Sequence, residues 1–248
     1  MTAGSPEQQH AMRAALAGSE ARSVAEPAAL VCLVADLVCP WCYIAFVRLQ
    51  RTLAASAGEL AWHPFLLNPN LPTRGVTRTH YLERRFGNAA QAQGVHRRVT
   101  LAGAREGIPF AFGAIRVQPS TVAAHAVVLA AAAHGRQVEA AAALFQAFFA
   151  EGADIGDPAL LANLARPLGL SEAEIAHAVS PAAAQRVVRA HEQAYGLGIA
   201  GVPVCVMGED HIIAGAQPPE VLAALLDLER YRRAAAPEAT AARPRSRP

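Results

Sequence analysis

Ala28 to Ala35 is a short unbroken apolar run ended by Asp36, the pattern of a strand buried on both faces. A helical pattern follows from Trp41 to about Ser56, with Pro40 at the first helical turn, where its missing N–H costs nothing, and Gly58 at the exit. Glu59 to Phe65 reads as a second strand, stopped by Asn68-Pro69 and Leu71-Pro72. Strand, helix and strand in so short a length form a βαβ unit with parallel strands. The middle of the chain turns helical. Tyr81 to Phe86, Ala89 to Glu106, Ser120 to His134 and Gln137 to Glu151 end at Gly87, Gly107, Gly135 and Gly152. Asp157-Pro158 and Ser180-Pro181 are helix starts, and Ser171 to Glu174 reads as a capping box. Strand patterns return at Val202 to Met207 and His211 to Ala214, with Gly208-Glu209-Asp210 as the turn; Pro218 to Arg233 is a last amphipathic helix.

This order predicts an α/β fold, β-α-β … β-β-α, holding an all-helical insertion. Residues 28–67 and 196–233 form the sheet domain and 68–195 the insertion, flanked by an N-terminal extension (1–27) and a disordered tail (234–248).

Composition narrows the function. Apolar residues make up 53% and charged residues 17% of 248, a globular balance. The formal net charge of +2 predicts neither a nucleic-acid nor a membrane partner. All 22 basic residues are arginine, so the chain has no lysine for a P-loop or for a Schiff base with pyridoxal phosphate. Met1 to Pro27 has no apolar run before a cleavage site, and no apolar stretch is long enough for a transmembrane helix. These features predict a cytoplasmic protein, where four cysteines point to catalysis or metal binding rather than structural disulfides.

Cys39 and Cys42, two residues apart at a strand-to-helix junction, carry the chemistry. Free N–H groups and the positive dipole end at a helix start favour thiolate at Cys39. Cys42, one turn on, is placed to resolve a mixed disulfide. The competing reading is half a zinc site, but neither Cys32, Cys205 nor a His-x3-5-His pair supplies the second half. Asp36, three residues before Cys39, either tunes the thiols or caps the loop; as an acceptor-only anion it would raise a neighbouring thiol. Cys32 and Cys205 read as buried apolar residues, or as a second thiol pair if their strands are neighbours within about 7 Å. Pro203, before a strand, is equally compatible with a cis or a trans bond. His125, on an apolar helix, and His63 have no carboxylate partner visible in the sequence, so neither receives an acid–base role. Arg84-Arg85 and Arg97-Arg98 read as solvated helix faces, with at most weak steering of an acidic substrate such as glutathione.

Asp36-Leu37-Val38-Cys39-Pro40-Trp41-Cys42-Tyr43-Ile44 resembles the active-site segment of the DsbA-like thioredoxin superfamily, most closely its FrnE-like branch. Matching segments follow in order: Trp62 to Pro69, Ser120-Thr121 with Ala124-His125, Leu144 to Phe149, Gly201-Val202-Pro203, and Ile213 to Pro218. The resemblance covers about residues 30 to 230. It implies a thioredoxin fold with a helical insertion and a thiol–disulfide oxidoreductase with Cys39 as nucleophile and Cys42 as resolving thiol. It also implies a cis Val202-Pro203 facing the dithiol and a substrate groove lined by Pro40, Trp41, Val202 and Pro203. The strand after Pro203 would lie beside the strand before the dithiol, bringing Cys32 near Cys205. No cofactor is expected beyond the redox-active disulfide, with glutathione as a candidate co-substrate. The partner would be a protein or small molecule bearing a thiol or disulfide, and a homodimer is allowed. Trp41 holds no positive charge, which predicts a less oxidising couple than a histidine there would give. Relatives on this architecture that isomerise small aromatic acids with glutathione, such as 2-hydroxychromene-2-carboxylate isomerases, generally carry serine for the first cysteine. That reading and a chaperone-like binding module are the alternatives.

Overall fold

The computed structural model describes residues 30–55, 58–208 and 211–241. The N-terminal extension, the Glu209-Asp210 part of the expected turn and residues 242–248 lie outside them. Strands β1 (Leu30–Ala35), β2 (Glu59–Pro64), β5 (Val204–Met207) and β6 (His211–Ala214) form one sheet in the order β2-β1-β5-β6. β1 runs parallel to β2 and antiparallel to β5, and β5 is antiparallel to β6. Helix α1 (Pro40–Ala54) makes the parallel crossover. This is the β-α-β … β-β-α order that the hydrophobic pattern predicts.

Between β2 and β5 lie α2 (Arg78–Phe86), α3 (Ala89–Arg105), α4 (Val122–Ala132), α5 (Gln137–Phe149), α6 (Pro158–Ala165), α7 (Glu172–Ala178) and α8 (Pro181–Gly196). Their starts are capped as the sequence indicates. Asp157 accepts from Ala159 N–H, Ser180 accepts from Ala183 N–H, and Ser171 and Glu174 close a capping box. Two expectations need correction. The insertion is not all-helical: β3 (Val76–Thr77) and β4 (Val117–Gln118) form an antiparallel ladder, each strand too short to produce a visible alternation. The last helix, α9 (Pro219–Ala241), runs past Arg233 into the segment read as a disordered tail; the strong helix formers Ala234 to Ala236 continue it.

Alternation along the strands sends side chains to two faces. Val31, Leu33, Ala35, Cys205 and Met207 face α1, α9 and the inserted helices. Cys32, Val34, Val204 and Val206 face α8 with Phe65, Ala194 and Ile199. The larger core continues without a break into the insertion through Phe46, Trp62, Phe145, Phe148 and Phe149. At the centre of the insertion, α4 buries Ala124 to Val128 in succession, as a helix apolar on every side must. Sheet and insertion are therefore held by one core, and the insertion grips the dithiol helix: Tyr43 stacks on Phe145 with ring centroids 4.8 Å apart.

Candidate functional site

β1 ends at Ala35 and the chain turns tightly, Cys39 N–H donating to Asp36 O at 3.0 Å. Cys39 is the N-cap of α1, Pro40 is the first helical residue, and the Cys39 carbonyl accepts from Cys42 and Tyr43 N–H. The first cysteine thus sits at the positive end of the helix and the second one turn inside it. Both are free thiols, Cys39 5% exposed and Cys42 fully buried, while Trp41 between them is 39% exposed at the surface.

Burial pushes the Cys42 thiol well above its ordinary value. The adjacent Cys39 sulfur pushes the same way; the Asp36 backbone N–H opposes, and the Asp36 charge adds to the rise. At neutral pH Cys42 is a thiol.

The other side of the site comes from the far end of the chain. The Val202-Pro203 peptide bond is cis, and the Cys39 thiol points to the Val202 carbonyl with Sγ 3.8 Å from the oxygen. Pro203 is braced from behind, because its carbonyl accepts from Gly215 N–H at 2.8 Å. Arg48 of α1 holds the next residues, donating to the Ala216 and Gln217 carbonyls while its Nε pairs with Glu106 at 2.7 Å. Nothing local in the sequence marked Arg48, since its partners lie far along the chain.

Asp36 is fully buried. Its carboxylate accepts from Leu67 N–H at 2.7 Å and approaches Val38 N–H at 3.5 Å, tying the end of β2 to the turn before the dithiol. His125 Nε2 lies 3.4 Å from Oδ1 of this carboxylate, an ion-pair distance that does not complete a hydrogen bond. This corrects the expectation that His125 has no carboxylate partner. Trp62 Nε1–H donates to His125 Nδ1 at 3.1 Å. An indole is a donor only, so Nδ1 is unprotonated and the neutral ring carries its proton on Nε2, toward Asp36. Asp36 therefore both closes the turn and belongs to a buried Asp36–His125–Trp62 chain behind Cys42.

His63 and His191 fasten α8 to the end of β2: His63 Nε2 is 2.9 Å from Ala190 O, and Leu66 N–H donates to His191 Nδ1. Burial lowers both histidines, keeping them neutral. His191 escaped the sequence reading because it sits on a mixed helix with no motif around it.

Cys32 and Cys205 do not form a pair. Their strands are neighbours, but the register sets Cys205 opposite Leu33 and Cys32 opposite Val206. A one-residue offset sends their side chains to opposite faces of the sheet, one into each core. Burial pushes Cys32 up to about 12 and Cys205 higher still, as suits inert apolar packing. Among the described residues no three His, Cys, Asp or Glu side chains gather as metal ligands would, and no helix is long and apolar enough to cross a membrane.

Known proteins bear on this geometry. The uncharacterised protein YwbO of Bacillus subtilis (strain 168) is 27% identical over 191 residues, covering 75% of this chain and 90% of YwbO. The probable DsbA oxidoreductase SCO1869 from Streptomyces coelicolor superposes with a TM-score of 0.72 at 28% identity, over 81% of this chain and 89% of that one. A 2-hydroxychromene-2-carboxylate isomerase shares the fold with a TM-score of 0.64 at 16% identity, over 83% and 98%. The sequence pattern described as the DSBA-like thioredoxin domain matches residues 31–227. With that match over most of its length and the thioredoxin order of its strands, this chain belongs to the DSBA-like thioredoxin domain family.

Proposed function

We propose that the protein is a thiol–disulfide oxidoreductase working through Cys39 and Cys42. The observation that carries this reading is the placement of Cys39 at the N-terminus of α1 against the Val202 carbonyl, with Cys42 buried and protonated behind it. The Cys39 thiolate attacks a substrate disulfide R–S–S–R′, forming Cys39–S–S–R and releasing R′S⁻, which takes a proton from solvent. The Cys42 sulfur then attacks the Cys39 sulfur. A Cys39–Cys42 disulfide forms, RS⁻ leaves, and the Cys42 proton passes to it. A thiol reductant, with glutathione as the candidate, returns two electrons and two protons, one restoring the Cys42 thiol and the other released to solvent as Cys39 returns to thiolate. Run in reverse, the oxidised pair would oxidise substrate dithiols, and the reduction potential decides the net direction.

Pro40, Trp41, Val202 and Pro203 line the substrate side: Trp41 is the exposed aromatic beside the sulfurs, and backbone groups around Pro203 can pair with an extended peptide. Such a protein would reduce or rearrange disulfides in the cytoplasm. The presence of both cysteines argues against the isomerase alternative.

The test is insulin reduction with a thiol reductant. Wild type accelerates it and Cys39→Ser does not; equal rates would refute the assignment. The dithiol potential, measured against a glutathione buffer, is expected well below the strongly oxidising value of about −120 mV.

A further inference from the structure

Charge is unevenly distributed on this chain. Residues 74–105, spanning the approach to α2 and the α2–α3 hairpin, hold seven arginines against the single carboxylate Glu83. The whole chain has a formal net charge of only +2, so the remainder is net acidic. The hairpin is sharply built: Gly87 ends α2 with φ 79° and Asn88 caps α3 by accepting from Gln91 N–H. Arg84, Arg85, Arg97 and Arg98 are exposed on it, with exposed Arg74 and Arg105 at its two ends. Among the described residues none of these six takes part in an ion pair. Their charges are uncompensated, unlike those of the exposed pairs Arg136–Glu139 and Arg166–Glu172.

The hairpin also flanks the dithiol. The inner face of α3, Val95, Val99 and Ala102, packs on Tyr43, Ile44 and Val47 of α1. Ile44 lies two residues past Cys42, about 3 Å along the helix axis. One interaxial distance plus a helix radius puts the outer face of α3, which bears Arg97 and Arg98, roughly 15 Å from the axis of the dithiol helix. That is about two Debye lengths at physiological salt and about half of one at 0.01 M.

We propose that this hairpin is a docking surface for acidic polypeptide, selecting disulfide-bearing chains with carboxylates flanking their cysteines. The proposal rests on the redox reading above and goes beyond it by naming the substrate class. A polypeptide fits better than a small anion because the arginines are spread over both helices of the hairpin and the approach to it, α3 alone being about 25 Å long. It fits better than a nucleic acid because the neighbouring chemistry acts on disulfides.

The test uses the full chain with reduced Cys39 and Cys42. Two synthetic peptides carry the same disulfide, one flanked by Asp and Glu, the other by Asn and Gln. At 0.01 M salt the acidic peptide is expected to react about 10-fold faster, the low end of steering effects, and to converge on the neutral one at 0.5 M. The variant R84E/R85E/R97E/R98E, checked for folding by circular dichroism, abolishes the advantage and leaves the neutral peptide unchanged; R84Q/R85Q/R97Q/R98Q falls between. Equal rates for the two peptides at low salt, or an advantage that survives charge reversal, overturn the proposal. So does oxidised glutathione matching the acidic peptide in rate and salt dependence. If no disulfide reacts faster with wild type than with Cys39→Ser, the redox reading fails. Fluorescence anisotropy of a cysteine-free labelled acidic peptide then decides the docking surface alone: salt-sensitive binding lost on charge reversal supports it. No binding, or binding only of a single-stranded oligonucleotide, refutes it.

Discussion

Replacing His125 with phenylalanine is expected to destabilise the protein by about 2–4 kcal/mol. The ring is fully buried, and Phe is close to it in size, so packing changes little. What changes is polar. Trp62 Nε1–H, now 3.1 Å from Nδ1, is left buried without an acceptor, which costs about 1–3 kcal/mol. Asp36 loses the Nε2–H edge 3.4 Å away but keeps Leu67 N–H, so this second loss is at the weak end, roughly 1 kcal/mol. For a chain of this size the sum lowers Tm by roughly 4–16 °C. His125→Asn separates the two losses: its side-chain oxygen can still accept from Trp62 while the Asp36 contact disappears, so it should cost less than phenylalanine. The assay is urea unfolding followed by far-UV circular dichroism, because Trp62 is itself a fluorophore in the network. Trp62→Phe completes a double-mutant cycle, with an expected coupling above about 1 kcal/mol. A loss below 1 kcal/mol for His125→Phe, or additivity with Trp62→Phe within about 0.5 kcal/mol, would refute the buried chain as an energetic unit.

Other outcomes follow from the same geometry. Burial lowers His63, His96 and His191, so below their unfolded value of about 6.5 the unfolded chain binds protons that the native state does not. Stability should therefore hold above pH 6.5 and fall as the pH is lowered through 5; an unchanged urea midpoint between pH 7.5 and 5 would contradict this. Iodoacetamide at pH 7 should modify Cys39 before Cys42, read by peptide mass spectrometry, because Cys42 is buried and held as the thiol. Peptide mapping after mild oxidation should recover Cys32 and Cys205 unlinked; a bridge between them would contradict the register. Gly208→Ala should cost about 2–4 kcal/mol in urea unfolding. Gly208 has φ 58°, and a Cβ there would overlap the Glu229 carboxylate, which binds His211 at 2.7 Å. A cost under 1 kcal/mol would show that Glu229 swings clear.

Elements are legible in the chain itself where a local rule governs. The apolar run before Asp36, the proline after Cys39 and the Ser171–Glu174 box each determine their own neighbourhood, and strands and helices fall within a few residues of expectation. The dithiol was legible for the same reason, being a junction of two such elements. What escaped depends on distance in the chain. The His125 contact to Asp36 needs α4 laid against the first turn. Arg48 finds its acceptors only when the loop after β6 arrives. The Cys32–Cys205 question turned on register, where one residue reverses the answer and the apolar stretches at 30–35 and 204–207 carry no alternation to fix it.

The pairing of β1 with β5 also sets a timetable. Leu33 meets its partner Cys205 only when nearly the whole chain has been made. At 5–20 residues per second the ribosome delivers one roughly 10–35 s after the other. Over that interval the nascent chain holds a completed dithiol helix, an unpaired edge along β1 and no Val202 carbonyl beside Cys39. The Cys39 sulfur is thus synthesised early and sheltered last, which makes the growing chain, rather than the finished protein, the form most open to capture by stray oxidants and edge-seeking strands.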